Sequence, residues 1–171
     1  MLKLLQTFLE IVIWRKGPQD LPASGLLATL VLLVYAGVGL ASVQLFHLSL
    51  RDAAIMTTVT LLMVSGWLWL VLVFFGRRHR FVQTITATLG VAVFIALLDI
   101  AMRSVQLALG LGANPSGSWL LARFLIIALV MGRIFMLALD RGLATGVALT
   151  IAIVQSTQAV TLLMLDTLKG S

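Results

Sequence analysis

The chain has 171 residues, 61% hydrophobic and 11% charged, with a mean hydropathy of +1.12 and no cysteine. Soluble domains carry about a quarter charged residues and about half apolar ones, so the composition excludes a water-soluble globule, and the length leaves no room for a separate soluble catalytic domain. The net charge of +6 would suggest nucleic acid in a soluble chain. Here the basic residues stand in short runs beside apolar segments, the pattern of topology determinants facing anionic headgroups, and nucleic-acid binding is not expected.

Residues 1–16 predict an interfacial amphipathic helix. Leu2, Leu5, Leu9 and Val12 form a stripe widened by Phe8 and Ile13, with Lys3, Gln6, Thr7 and Glu10 opposite. Fourteen helical residues reach about 21 Å, short of a hydrocarbon core of about 30 Å. Trp14, Arg15 and Lys16 suit the headgroup level. A signal peptide is the rival reading, but its charged region would be a single lysine and Glu10 breaks its apolar run. Residues 17–23 form a polar turn in which Pro18 and Pro22 block helix continuation, and Ser24 is an N-cap candidate.

Five apolar segments follow, at about 24–46, 53–75, 82–109, 119–139 and 143–165, with a tail at 166–171. The expected fold is therefore all-α, a polytopic membrane bundle of five spanning helices behind the interfacial helix. Arg51 and Asp52 mark the first connection, and Gly76 to Arg80 the second. Residues 110–118 read as a turn from their Gly, Asn, Pro and Ser content. Asp140-Arg141-Gly142 makes a tight fourth connection.

With five spans, Lys3, Arg15, Lys16, Arg77, Arg78, Arg80 and Arg141 share one side, against Arg51, Lys169 and Arg103 on the other. Excess Lys and Arg marks the cytoplasmic side, so the N-terminus is expected inside and the C-terminus outside. Arg15, Lys16, Arg77, Arg78, Arg80 and Arg141 are then the candidate topology and headgroup contacts.

The candidate intramembrane polar site comprises Asp99, Arg103, Arg133, Gln155 and Gln158. Asp99 and Arg103 lie four apart and meet on one helix face. They form either a polar site lining a cavity or a structural ion pair near the surface. Arg123 reads as a snorkelling anchor on the outer side. Arg133 lies deeper, and either snorkels inward or pairs with a carboxylate. Gln155, Ser156, Thr157 and Gln158 give the fifth span polarity suited to hydrogen bonds between helices. Gly142 and Gly146, Gly37 with Ala41, and Gly90 with Ala87 and Ala92 offer small residues for close packing. His47 and His79 fall in connections on opposite sides and cannot share a metal in one chain. No nucleophile elbow, zinc-helix motif or phosphate loop is present, so neither catalysis nor a cofactor is expected.

The segment Phe75 to Gly90, FGRRHRFVQTITATLG, is similar to the basic loop and small-residue helix start of bacterial members of the Yip1 family. The tight Asp140-Arg141-Gly142 connection is similar too, and the resemblance covers about residues 18–165. It implies a cytoplasmic N-terminus, a five-span domain and a bacterial inner membrane. Where eukaryotic members carry a DLYGP-like motif and a GY pair, this chain has Asp20-Leu21-Pro22 and Leu89-Gly90-Val91. Their Rab GTPase association is therefore not implied. Two functions are weighed: a scaffold or partner subunit packing against a membrane protein or a second copy, and a transport or lipid-handling protein, as a homodimer, with the polar residues lining a cleft. Convergence of those residues on a water-accessible cavity separates them.

Overall fold

The computed structural model describes residues 2–41, 49–110 and 117–169. Among the described residues the regular structure is entirely helical. The helices are α1 (Leu2–Val12), α2 (Gly25–Ala41), α3 (Leu50–Phe74), α4 (Phe81–Ala108), α5 (Gly117–Leu139) and α6 (Leu143–Lys169). Short 3-10 turns cover Pro18–Asp20 and Arg78–Arg80. Four helices, α3 to α6, are long and apolar enough to cross a membrane, and α2 is a shorter apolar helix of 17 residues. Their outward faces are greasy: Leu26 is 81% exposed and Phe74 84%. This is a helical bundle compatible with a multi-pass membrane protein.

The helix ends refine the expected boundaries. Ser49 Oγ accepts the Asp52 N–H at 3.0 Å, so α3 begins at Leu50. Arg51 and Asp52, expected in the connection, lie in its first turn, where the Asp52 carboxylate meets the positive helix end. The segment expected as tail is helical to Lys169. The end of the first expected span, with His47, and most of the turn expected at 110–118 lie outside the described residues.

α4 is the central helix, touching α1, α2, α3 and α5. Every residue from Thr84 to Val91 is buried. Two of the three threonines on this enclosed stretch bond back to their own helix, while Thr88 Oγ1 is buried without a partner. Thr84 Oγ1 donates to the Arg80 carbonyl at 2.8 Å and Thr86 Oγ1 to the Val82 carbonyl at 2.7 Å, each one turn back. Gly90 lets α1 come close, because the Phe8 ring occupies the space a Cβ would take.

Of the stripe expected on α1, Phe8 is buried and Val12 packs at the edge of the core, joined by Ile11. Phe8 and Ile11 are buried in the core, while Leu9 is 48% and Ile13 56% exposed. The following turn is also docked. Asp20 Oδ2 accepts the Gly17 N–H at 2.8 Å, Leu21 is buried, and Gln83 Nε2 donates to the Leu21 carbonyl at 2.8 Å.

α5 and α6 form a tight hairpin across Asp140-Arg141-Gly142. A Cβ on Gly146 would collide with the Gly132 carbonyl, so two glycines bring the backbones together. Gly142 and Gly37, also expected as packing glycines, have open space at the Cβ position. α6 packs on α3 as well as α5, and turns Thr150, Thr157 and Thr161 inward.

Candidate functional site

Asp99 and Arg103 on α4 and Arg123 on α5 line one partly open cavity of about 560 Å³. α2 contributes Tyr35 and Gly39, and α3 contributes Thr57 and Thr60. Four helices therefore converge on it. At about 1.5 Å per residue, Asp99 lies about 27 Å along α4 from Phe81, while Arg123 is about 9 Å from the start of α5. The cleft thus sits at the end of the bundle opposite the Arg77–Arg80 turn.

The close ion pair at Asp99 runs between helices rather than along α4: Arg123 Nε donates to Asp99 Oδ2 at 2.7 Å. Arg123, expected as a lipid-facing anchor, is thereby part of the site. Arg103, one turn beyond Asp99, is 6% exposed and shares the same cavity. Two guanidinium groups face one carboxylate, so the ionised side chains of the lining sum to +1. A guanidinium carries five N–H donors and no acceptor, so such a lining is rich in donors for an anion and poor in ligands for a cation. Consistently, no grouping of His, Asp and Glu fit to hold a metal occurs among the described residues.

The remaining candidates lie elsewhere. Arg133 sits toward the other end of α5, its guanidinium 5.1 Å from the Trp14 ring centroid, in cation–π geometry. Its Nε is buried without a hydrogen-bond partner, and the Trp14 ring is the aromatic face this arginine stands over. Trp14 adopts φ 69°, rare for a bulky residue, as the left-handed residue of a Schellman cap closed by Arg15 N–H to Glu10 O at 2.7 Å. Gln155 and Gln158 are exposed on α6 and take no part in the cleft.

The expected headgroup cations are largely engaged within the chain. Arg77 Nη2 is 2.8 Å from Asp140 Oδ2, and Arg80 Nη1 is 3.2 Å from Asp140 Oδ1. Arg80 also donates to the Leu137 and Ala138 carbonyls at 3.0 and 3.2 Å, closing the end of α5. Lys16 Nζ lies 2.7 Å from Glu10 Oε2, and Arg141 stands over the Phe75 ring at 5.5 Å. Arg15 and Arg78 are exposed. All of these gather at the end of the bundle away from the cleft.

Tyr35, Thr57 and Thr60 were not evident as site residues. The available signal was the threonine cluster Thr57, Thr58 and Thr60 in a largely apolar α3, of which Thr57 and Thr60, three apart, share a helix face. Compared with known proteins, the chain matches no family model, no curated protein and no solved structure.

Proposed function

We propose that the chain is a five-span protein of a bacterial inner membrane, with its N-terminus in the cytoplasm, that binds a small ligand in the cleft between α2, α3, α4 and α5. In this reading it handles or transports that ligand at the outer face of the bilayer, and α1 lies at the inner headgroup level. The Yip1-like order of parts and the charge distribution support the orientation. One observation carries the functional reading: Asp99, Arg103 and Arg123, drawn from two helices, converge on a cavity of about 560 Å³. Ligand pockets commonly enclose about 300–1,000 Å³. Charges this far inside apolar helices are costly to keep unless they serve a polar cavity or one another.

The test is native mass spectrometry of protein extracted in mild detergent. A stoichiometric small molecule or lipid, lost from an Arg123→Gln variant that still folds, is the expected result. A chain that emerges bare, or with a ligand indifferent to that substitution, contradicts the reading.

A second reading, as partner subunit or homo-oligomer, draws on α6. Gln155 and Gln158 are exposed within an apolar helix. Lipid offers an amide no hydrogen-bond partner, whereas a neighbouring helix does. The two readings are compatible, since a cleft protein can work as a dimer.

A further inference from the structure

We infer that the ligand of the cleft is an amphiphile with a net-negative oxyanion head, a phosphomonoester or carboxylate borne on an apolar chain. This rests on the reading of the cleft as a binding site and adds the chemistry of what it takes. Asp99, the one carboxylate among the described lining residues, is held 2.7 Å from the Arg123 guanidinium. Arg103 raises the lining to a net +1. A metal ion or an ammonium group would meet two fixed cations there. An oxyanion would meet planar donor forks suited to bidentate contact.

Polarity points the same way. Beside the charged groups the same cavity is walled by Val38, Met56, Ala96, Ile100, Met102 and Leu120. A site for a free inorganic ion has no use for this wall. An apolar chain does, and the two methionines, unbranched and flexible, adapt to one. Trp119 joins the lining from the first turn of α5, an amphipathic ring suited to the boundary between head and tail. The hydroxyls of Thr57 and Thr60 on α3 give further donors within the cavity.

The experiment uses the full chain in phosphatidylcholine nanodiscs, with dihexanoyl phosphatidic acid, dihexanoyl phosphatidylcholine and inorganic phosphate as probes. Thermal unfolding of each variant serves as the folding control. One phosphatidic acid per chain is expected. Its affinity should fall about tenfold or more in Arg103→Gln and in Arg123→Gln, as for loss of a charge-assisted contact, and hold or rise in Asp99→Asn. Displacement by millimolar phosphate would support the oxyanion class with a soluble source, whereas phosphatidic acid binding that phosphate does not disturb would support a lipid source. Phosphatidylcholine binding equally well, or phosphatidic acid binding unchanged in both folded arginine variants, overturns the inference. A thiol placed at Thr60 separates the two levels. If it reacts from the outer aqueous phase while no oxyanion binds, the ligand class is wrong and the open cleft stands. If it is sealed from water, both fail.

Discussion

At the residue scale, the side chains that matter are those whose partners lie on other elements. Helical spacing places Arg103 next to Asp99, and both do line the cavity, but the 2.7 Å contact to Arg123 depends on how α4 and α5 pack. A sequence shows which residues can meet on one helix; it does not show which helices are neighbours. The amides illustrate the same limit. Gln155, Ser156, Thr157 and Gln158 were expected to bond between helices; of these α6 buries Thr157, together with Thr150 and Thr161. For two of the three the hydroxyl is satisfied on its own helix, while Thr157 Oγ1 is buried without a hydrogen-bond partner. Thr150 Oγ1 donates to the Gly146 carbonyl at 2.9 Å and Thr161 Oγ1 to the Thr157 carbonyl at 2.8 Å, whereas a glutamine has too many polar atoms for its own helix to satisfy. Removing the Asp99 carboxylate should lower stability by about 1 kcal/mol, since Arg123 is partly solvated, and Arg123→Gln combined with Asp99→Asn should cost less than the sum of the two. Thermal unfolding in detergent checks this cycle, and additive losses would show that the pair is not coupled.

A second residue-scale prediction concerns the end of α1. The hydrogen bond from Lys16 and then that from Gln6 hold the Glu10 carboxyl below its ordinary value of 4.5, against some opposing desolvation. A depressed folded-state value means that the contribution is present above about 4.5 and is lost as the pH falls through the folded value. Proteolysis between α1 and α2 should therefore accelerate on acidification toward that value. Lys16→Met should flatten the response, and an unchanged acid response in that variant would remove Glu10–Lys16 as its cause.

At the element scale, the hydrophobic segments of α3 to α6 were legible from length and composition alone, because nothing else keeps so many apolar residues in register with a bilayer. The helix ends were less so. The N-cap at Ser49 pulled α3 back over Arg51 and Asp52, and α6 ran past its expected end. Small-residue packing was partly legible: Gly146 and Gly90 do accept close neighbours, but Gly132, the partner of Gly146, was not identified. Because the Gly132 carbonyl stands where a Cβ on Gly146 would go, Gly146→Val must separate α5 from α6. A loss of about 1–3 kcal/mol or more is predicted, read as a drop in unfolding temperature. Gly90→Leu should instead displace Phe8 and undock α1, raising protease sensitivity at residues 13–17 while the apolar bundle holds together. Simultaneous collapse of both would mean that α1 is integral to the bundle.

For the whole molecule, the two ends of the bundle differ in kind. One end carries Arg77, Arg80 and Asp140 in an ion-pair cluster, with Arg15 and Arg78 exposed beside it. The other carries the cleft. This division agrees with the charge asymmetry of the sequence, in which basic connections stand on one side and Asp99, Arg103 and Arg123 approach the other. The identity of the cleft was only half legible, since residues from four helices form it and no spacing rule links Tyr35 to Thr60 or Arg123. If copies associate through α6, a thiol at Ala159, beside Gln155 and Gln158, should cross-link to itself in membranes, whereas one at Leu62 on α3 should not. Equal cross-linking at both positions would point to random collision.

The proposed binding cleft would open to water on the side away from the basic end. Because the chain has no cysteine, a single introduced thiol reports without background. The decisive measurement is labelling of Thr60→Cys in intact spheroplasts with a membrane-impermeant maleimide, alongside Arg78→Cys. The thiol at position 60 should react from outside, whereas that at position 78 should react only after permeabilisation. A thiol at position 60 that stays unreactive from outside, in protein that retains its unfolding temperature, would contradict an outward-opening cleft.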